Sequence, residues 1–136
     1  MAKGDKLITV GIQVEGLKGL QRQLSQAADK DMQKRIRKAN KDAASIVSDE
    51  AKNIVPVRTG ALRKSIGARG TNKAATVKAG TAARVPYAGP VHFGWRARGI
   101  EPQPFLYEAL GDKWREVYTQ YDEQLSELVN ELNRKK

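Results

Sequence analysis

The first part of the chain alternates between apolar and polar positions. One side of the alternation holds four β-branched residues: Ile8, Val10, Ile12 and Val14. A period of two residues is typical of a half-buried strand, so we predict a strand over residues 7–14. After a turn at Glu15-Gly16, three leucines follow the spacing of a helix and predict a short helix over about residues 17–27.

A longer helical pattern follows and predicts a helix over about residues 29–55. Asp29, at its start, belongs to the residue types that cap the free amides of a first turn. Apolar residues recur at helical spacing along one side: Met32, Ile36, Ala39, Ala43, Val47 and Ile54. The opposite side is basic and carries Lys34, Arg35, Arg37, Lys38 and Lys41. We interpret this basic side as a solvated helix face.

A turn separates the long helix from a predicted hairpin. Pro56 has no amide hydrogen and clashes with a continuing helix, so we expect the helix to end before it. Gly60 takes positive φ at low cost, and we predict this conformation in the turn. Beyond the turn, two strands at Ala61–Ala68 and Ala74–Gly80 are predicted to form a hairpin over about residues 61–80.

Polar and proline-containing segments punctuate the middle of the chain. Residues 69–73 are polar and basic, and they are predicted to connect the two strands of the hairpin. Pro86 and Pro90 restrict Tyr87–Phe93 to a short helix or a turn. The segment Gly94–Gly99 is predicted to be a loop.

The C-terminal part of the chain predicts one long helix over about residues 105–133. Its large apolar residues alternate between spacings of four and three: Trp114, Tyr118, Tyr121, Leu125, Leu128 and Leu132. This spacing is that of a heptad seam, which packs against another helix or sheet. Two interpretations of the seam are open: it packs on the protein's own sheet, or it packs between subunits.

These elements together predict an α+β protein. A small, mainly antiparallel sheet is expected to be packed by the long central helix and the long C-terminal helix. A chain of 136 residues is the size of one domain, so we expect residues 1–136 to form a single domain.

Positive charge is concentrated in the middle of the chain. The formal net charge is +10, and residues 51–100 hold ten Lys and Arg residues and no Asp or Glu. A block without any carboxylate predicts a positive field directed at an anionic partner. The candidates for contact with a partner or with DNA are Arg58, Arg63, Lys64, Arg69, Lys73, Lys78, Arg84, Arg96 and Arg98. For Arg58 and Arg63 an equal alternative is structural, because arginine often ties a turn by donating to backbone carbonyls.

The composition argues against an enzyme, a metal site or a bound cofactor. The chain has no cysteine and one histidine, which excludes disulfides and thiolate chemistry. Motifs for zinc, phosphate or dinucleotide binding are absent from the sequence. Apolar runs of membrane-spanning length and an N-terminal signal sequence are absent as well. We expect a soluble protein made in the cytoplasm, with no membrane contact and no small-molecule substrate.

Three blocks of residues carry a resemblance to a known family. The first is Val55-Pro-Val-Arg-Thr-Gly-Ala-Leu-Arg-Lys-Ser-Ile66. The second consists of Tyr87-Ala88, Val91 and Phe93-Gly94, and the third of Pro102-Gln-Pro-Phe-Leu106 with Ala109-Leu110. In this order they resemble the head–tail joining, or tail-completion, proteins in the neck of long-tailed bacteriophages. His92 and Trp95 depart from the family's usual residues.

The resemblance implies a structural virion protein made in a bacterial host. It implies one subunit of a homo-oligomeric ring that joins head to tail and contacts other neck and tail proteins. Non-specific contact with double-stranded DNA in the channel is a further expectation. Trp95 is then either a core or loop anchor or, with the heptad seam, a subunit-packing residue.

The basic block leaves open a second function, that of a small nucleic-acid-binding protein of bacterial or phage origin. Few aromatic residues are interleaved with its cations, so stacking on single strands is not expected. Sequence-independent attraction to phosphates remains. A nucleic-acid binder loses affinity steeply as salt rises, whereas a neck protein binds purified neck and tail proteins.

Overall fold

The computed structural model describes residues 8–12, 22–23, 26, 30–55, 60–72, 74–80, 87–94 and 96–134. Three strands are present: β1 (Ile8–Ile12), β2 (Gly67–Gly70) and β3 (Ala75–Ala79). The helices are α1 (Lys30–Ile54), α2 (Ala61–Ser65), α3 (Ala88–Phe93), α4 (Phe105–Asp112) and α5 (Trp114–Arg134), with a 3₁₀ turn at Arg96–Arg98. The predicted α+β class, with a small antiparallel sheet packed by long helices, is confirmed.

The sheet is antiparallel throughout, with strand order β1-β3-β2. Ile8 lies opposite Ala79 and Ile12 opposite Ala75, while Ala68 lies opposite Val77. These residues face the core, and every second residue between them faces outward. The strand predicted over residues 7–14 is thus present in its described part, and residues 7, 13 and 14 lie outside the described ranges.

Helix α1 is the element that the sheet and the C-terminal helices share. It contacts β2 and β3 on one side and α4 and α5 on another. Its buried residues cover a wide stripe of small and medium side chains: Met32, Ile36, Ala39, Asn40, Ala43, Ala44, Val47, Ser48 and Ala51. Four of these are alanines, which allow neighbouring backbones to approach closely. Lys34, Arg37, Lys38 and Lys41 are exposed, as expected for the solvated face.

The closest approach between sheet and helix occurs at Gly70, near the end of β2. A Cβ atom placed on Gly70 would lie 2.8 Å from the Cα of Lys41, and it would also meet the Arg37 carbonyl oxygen. A glycine within a strand often marks such an approach of another backbone. The crossing therefore requires glycine, and it places β2 directly on α1.

A buried polar network joins three elements beside this crossing. The Tyr121 hydroxyl of α5 donates to Asn40 Oδ1 of α1. The Asn40 side-chain amide in turn donates to the Thr71 carbonyl oxygen, in the turn between β2 and β3. Both Asn40 and Tyr121 are almost fully buried, and burial raises the pKa of Tyr121 to about 12. Burying a polar side chain without a hydrogen-bond partner costs free energy, and the hydrogen bonds of Asn40 and Tyr121 avoid that cost.

The predicted first strand of the hairpin, Ala61–Ala68, is wrong over most of its length. Ala61–Ser65 is a short helix, and the strand begins only at Gly67 and continues through Gly70. Leu62 and Ile66 are four residues apart, so one helical turn brings both into the core. Ser65 then ties α2 to β3, since its hydroxyl donates to the Leu62 carbonyl and accepts from the Gly80 amide at 2.8 Å.

The turn before α2 is as predicted where it is described. Gly60 has a φ of 79°, and it sits at the N-terminus of α2. The predicted positive φ at Gly60 is confirmed. Pro56 lies outside the described residues, as does most of the helix predicted over residues 17–27. Tyr87–Phe93, predicted as a short helix or a turn, contains helix α3.

The C-terminal helix is interrupted, which corrects the prediction of one helix over residues 105–133. Helix α4 ends at Asp112 and α5 begins at Trp114. Lys113, between them, has a φ of −108° and a ψ of 13°. Its amide still donates to the Ala109 carbonyl at 3.1 Å. The break follows Gly111 and Asp112, two residue types of low helix propensity.

The Gly70 crossing leads to a stability prediction. Replacing Gly70 with alanine forces the Cβ into the backbone of α1, and we expect the free energy of unfolding to fall by about 2 kcal/mol or more. Gly67→Ala, in the same strand, meets no atom within 4 Å and is the matched control. Urea unfolding of both variants measures the difference. Equal stability of the two would contradict the packing described for β2.

Candidate functional site

The described members of the basic block lie on exposed positions around the sheet. Arg63 and Lys64 are exposed on α2, Arg69 on β2, Lys78 on β3 and Arg98 in the 3₁₀ turn. Arg58, Lys73, Arg84 and Trp95 lie outside the described residues, and the side chain of Arg96 is also outside the description. Arg63, Lys64, Arg69 and Lys78 form no salt bridge with a carboxylate of the described ranges.

Two exposed cations of α1 belong to residues whose backbone adjoins β2. The backbone of Gly70 rests on Arg37 and Lys41, so these two exposed cations of α1 lie beside the strand that carries Arg69. The sequence places them more than 25 residues away, on a helix face that we interpreted as merely solvated. The signal that points to this arrangement is Gly70 itself, because a glycine in a strand indicates close approach of another backbone.

The outward side of the sheet is flat and contains two cations. Its side chains form two rows across the strands: Thr9, Lys78 and Gly67 in one, and Gly11, Thr76 and Arg69 in the other. Thr9, Gly11, Arg69 and Lys78 are exposed, and the other two residues are half-buried. We call these six residues the outer sheet face. It has no acidic residue and no large apolar side chain.

The heptad seam is divided between the core and the surface. Tyr121, Leu125 and Leu128 are buried, together with Val117, which the seam pattern did not include. The first two seam residues, Trp114 and Tyr118, are 39% and 43% exposed. Nothing is described of the Leu132 side chain. The buried part of the seam packs within the chain, since α5 lies against α1.

An ion pair and a polar contact extend the packing of α5 on α1. Arg35 donates to Glu131, and this hydrogen bond, with burial opposing it, raises the pKa of Arg35. Gln124 donates to Asp42 at 3.1 Å nearer the middle of both helices. The two helices are antiparallel in these contacts. Only the start of α5, at Trp114 and Tyr118, keeps its aromatic side chains turned to solvent.

His92, a position where the sequence departs from the phage family, lies in an apolar cage. Its ring packs edge-on against Phe93, Phe105 and Tyr107, with centroid distances of 4.6, 5.1 and 4.6 Å. It is 1% exposed, and neither ring nitrogen has a hydrogen-bond partner among the described residues. Burial lowers the pKa of His92 to about 4, so the ring is neutral near pH 7. Its role in the described structure is to pack α3 against α4.

The described residues contain no group of three or more His, Cys, Asp or Glu side chains placed to hold a metal ion. Within the same ranges, each helix is too short or too polar to cross a bilayer. The described residues present charged and aromatic surfaces.

Comparison with known families assigns the chain. A family model described as "Bacteriophage HK97-gp10, putative tail-component" matches residues 18–94. The chain belongs to this family. The match covers more than half of the 136 residues and includes α1, the turn at Gly60, the hairpin and α3. Searches of the curated proteins and of the solved structures find no match.

Membership in the HK97-gp10 family confirms the resemblance noted in the sequence to phage neck and tail-completion proteins. It indicates a structural component of a phage tail, and hence a protein of the virion that contacts other tail or neck proteins. Two of the three blocks that carried the resemblance, around Gly60 and around Phe93, fall within the matched residues.

The division of the seam predicts different costs for two substitutions on one helix. Leu125→Ala removes a buried side chain, and we expect it to lower the free energy of unfolding by about 2–5 kcal/mol. Tyr118→Ala removes a side chain that is 43% exposed, and we expect a smaller loss, of about 1 kcal/mol or less. Chemical unfolding of the isolated chain measures both. A large loss for Tyr118→Ala would show that it packs in the core.

The caged histidine predicts a stability that falls with acidification. The pKa of His92 is lower in the folded chain than the value of about 6.5 expected when unfolded, so the unfolded state takes up the proton first. The contribution of the neutral, buried His92 ring to the free energy of unfolding is complete above pH 6.5 and is lost as the pH falls towards 4. Between pH 7.5 and pH 5 we expect a loss of about 2 kcal/mol.

The control for this prediction is His92→Leu, which keeps an apolar side chain in the cage and cannot titrate. Because His92 is the single histidine of the chain, few other groups titrate between pH 5 and pH 7.5. Unfolding free energies of both proteins are measured across that range. If the free energy of unfolding depends on pH in the same way in the parent protein and in His92→Leu, His92 is not buried in an apolar cage.

Proposed function

We propose that this member of the HK97-gp10 family is a ring subunit of the phage neck and joins the head to the tail during assembly. The observation that carries the proposal is the family match over residues 18–94, which indicates a tail component. The three sequence blocks support the finer role, because in their order they resemble head–tail joining proteins. The third block, in α4 and the segment before it, lies beyond the matched residues.

The distribution of charge supports a role in assembly. The exposed cations Arg63, Lys64, Arg69 and Lys78 surround the sheet. Helices α4 and α5 together carry seven acidic residues against two basic ones. Unlike charges on separate surfaces of one protein direct partners into a defined orientation and accelerate their encounter. In this proposal the cations of α2 face an acidic surface of the neighbouring head-side or tail-side protein.

A charged protein surface is the expected partner rather than the DNA that passes through the neck. Tight binding of each phosphate would hinder ejection of the genome, and affinity of this kind falls steeply with salt. DNA binding through the basic block is therefore the competing function. Complementation with charge-reversed variants distinguishes it from docking on a protein.

The test is complementation of particles that lack the protein. Removing its gene from the phage is expected to leave heads and tails unjoined, and purified protein added to them restores infectious particles. Arg63→Glu with Lys64→Glu reverses two exposed charges on α2, which contribute little to stability. We expect this variant to fold normally and to restore at least about tenfold fewer particles, since like charges now face the partner.

The matched control carries Lys30→Glu and Lys34→Glu, the same change in net charge on α1 outside the block. It is expected to complement at the level of the parent protein. If the α2 variant folds and restores full infectivity, the cations of α2 are not a docking surface. If it loses only salt-sensitive DNA affinity, nucleic-acid binding replaces the proposed function. If deleting the gene leaves joined, infectious particles, the neck function is wrong.

A further inference from the structure

The outer sheet face is an open surface on the side of the sheet opposite α1. The inner side chains of all three strands enter the core, so the six outward residues point away from the described helices that pack on that core. Gly67 lies at one end of the first row, on β2, and Gly11 lies at the opposite end of the second row, on β1. A Cβ atom at either glycine would meet no atom within 4 Å. The face is therefore shallow, with space above both glycines, and Arg69 and Lys78 rise from it.

A second open surface lies at the start of α5. Trp114 and Tyr118 are four residues apart and thus share one side of the helix. We call them the aromatic pair. Both remain substantially exposed although the same helix buries Val117 and Tyr121. Trp and Tyr are enriched among the residues that dominate protein interfaces.

The charges around the two surfaces are opposite. Residues 51–100, which supply β2, β3 and α2, contain no acid. Next to the aromatic pair, Asp112 and Glu116 are exposed, and Glu116 pairs with Lys113 at 3.3 Å. Arg115 also adjoins Trp114, so the acidic character belongs to the two helices as a whole. Helices α4 and α5 carry seven acids and two bases, a net charge of −5. The outer sheet face cannot meet the aromatic pair of its own chain, because it points away from the helices.

We propose that the aromatic pair of one copy of this chain docks on the outer sheet face of the next copy. The inference rests on the proposed function, in which the protein is a ring subunit, and it names the surfaces that join the subunits. The two aromatic rings fill the space above Gly11 and Gly67. Arg69 and Lys78 lie over the ring faces, an arrangement favoured by cation–π attraction, and the carboxylates beside the pair face the cations of α2.

This contact is head-to-tail, because it joins two different surfaces. Repetition of a head-to-tail contact generates a closed ring when the rotation between copies closes. A contact that paired the same surface twice would stop at a dimer. The proposal therefore predicts that the aromatic pair of one copy contacts the outer sheet face of another. Contact between two outer sheet faces, or between two aromatic pairs, is not expected.

Thiol cross-linking tests the contact, and the absence of natural cysteines makes it specific. Thr9→Cys lies on the outer sheet face, and Arg115→Cys lies beside the aromatic pair; both positions are exposed. A chain with both substitutions is treated with a short bis-maleimide, as purified protein over a range of concentrations and within phage particles. We expect a ladder of covalent multimers in the particles, and no multimers from either single variant.

A second set of variants tests the aromatic pair itself. Adding Trp114→Ala and Tyr118→Ala to the double-cysteine chain is expected to reduce multimer formation by about tenfold or more, as for central interface residues. The matched control adds Tyr87→Ala, which removes an exposed aromatic side chain outside α5 and leaves the ladder unchanged. Circular dichroism and thermal unfolding confirm that each variant is folded.

The outcomes separate this inference from the proposed function. If the double-cysteine chain is present in joined particles but gives no ladder, the docking contact is wrong and the neck function stands. Multimers from Arg115→Cys alone would replace the head-to-tail contact by a symmetric one. If the chain is absent from particles that are nevertheless joined, the proposed function itself fails.

Discussion

The hydrogen-bond chain from Tyr121 through Asn40 to Thr71 is the interaction on which the arrangement of this protein depends. It crosses from α5 to α1 and on to the turn between β2 and β3. Each participating side chain is buried, so loss of either partner leaves a polar group without the water that would satisfy it. Beside it, Gly70 brings the backbone of β2 onto α1. Sheet, central helix and C-terminal helix are thereby held at one fixed orientation.

This orientation determines which surfaces remain for partners. With the inner side of the sheet on α1, its small and basic outer side faces solvent. With Tyr121, Leu125 and Leu128 directed into the chain, only the first turn of α5 presents aromatic side chains outward. The HK97-gp10 family match indicates a tail component, and a component of an assembly needs surfaces of this kind more than it needs a cleft. The proposed neck function uses the surfaces that the core packing leaves exposed.

The elements that could be predicted from sequence are those whose pattern is local. Strand β1 follows from alternating β-branched residues, α1 from long helical spacing, and the positive φ of Gly60 from the turn it must make. Helix α2 was missed because five residues are too few for periodicity to separate helix from strand. Leu62 and Ile66 fit either pattern, and the burial of both with the Ser65 contacts favours the helix.

The candidate surfaces were predictable only in part, for a related reason. Charge counts along the chain identify the basic block but not the proximity of Arg37 and Lys41 to β2, which depends on a contact between distant segments. Heptad spacing identifies the seam of α5 but not where burial stops. Seven-residue spacing places Trp114 and Tyr121 on nearly the same side of the helix, and only the extent of the neighbouring elements leaves one exposed and the other buried.

The most direct test of this account is a reconstruction of the phage neck by electron cryomicroscopy at a resolution that shows side chains. The account predicts a ring of this chain at the junction of head and tail. The outer sheet face of each copy is covered by the start of α5 of its neighbour, and the packing of β2 on α1 is unchanged. A ring whose outer sheet faces line the channel against DNA, or a neck that lacks this chain, would contradict it.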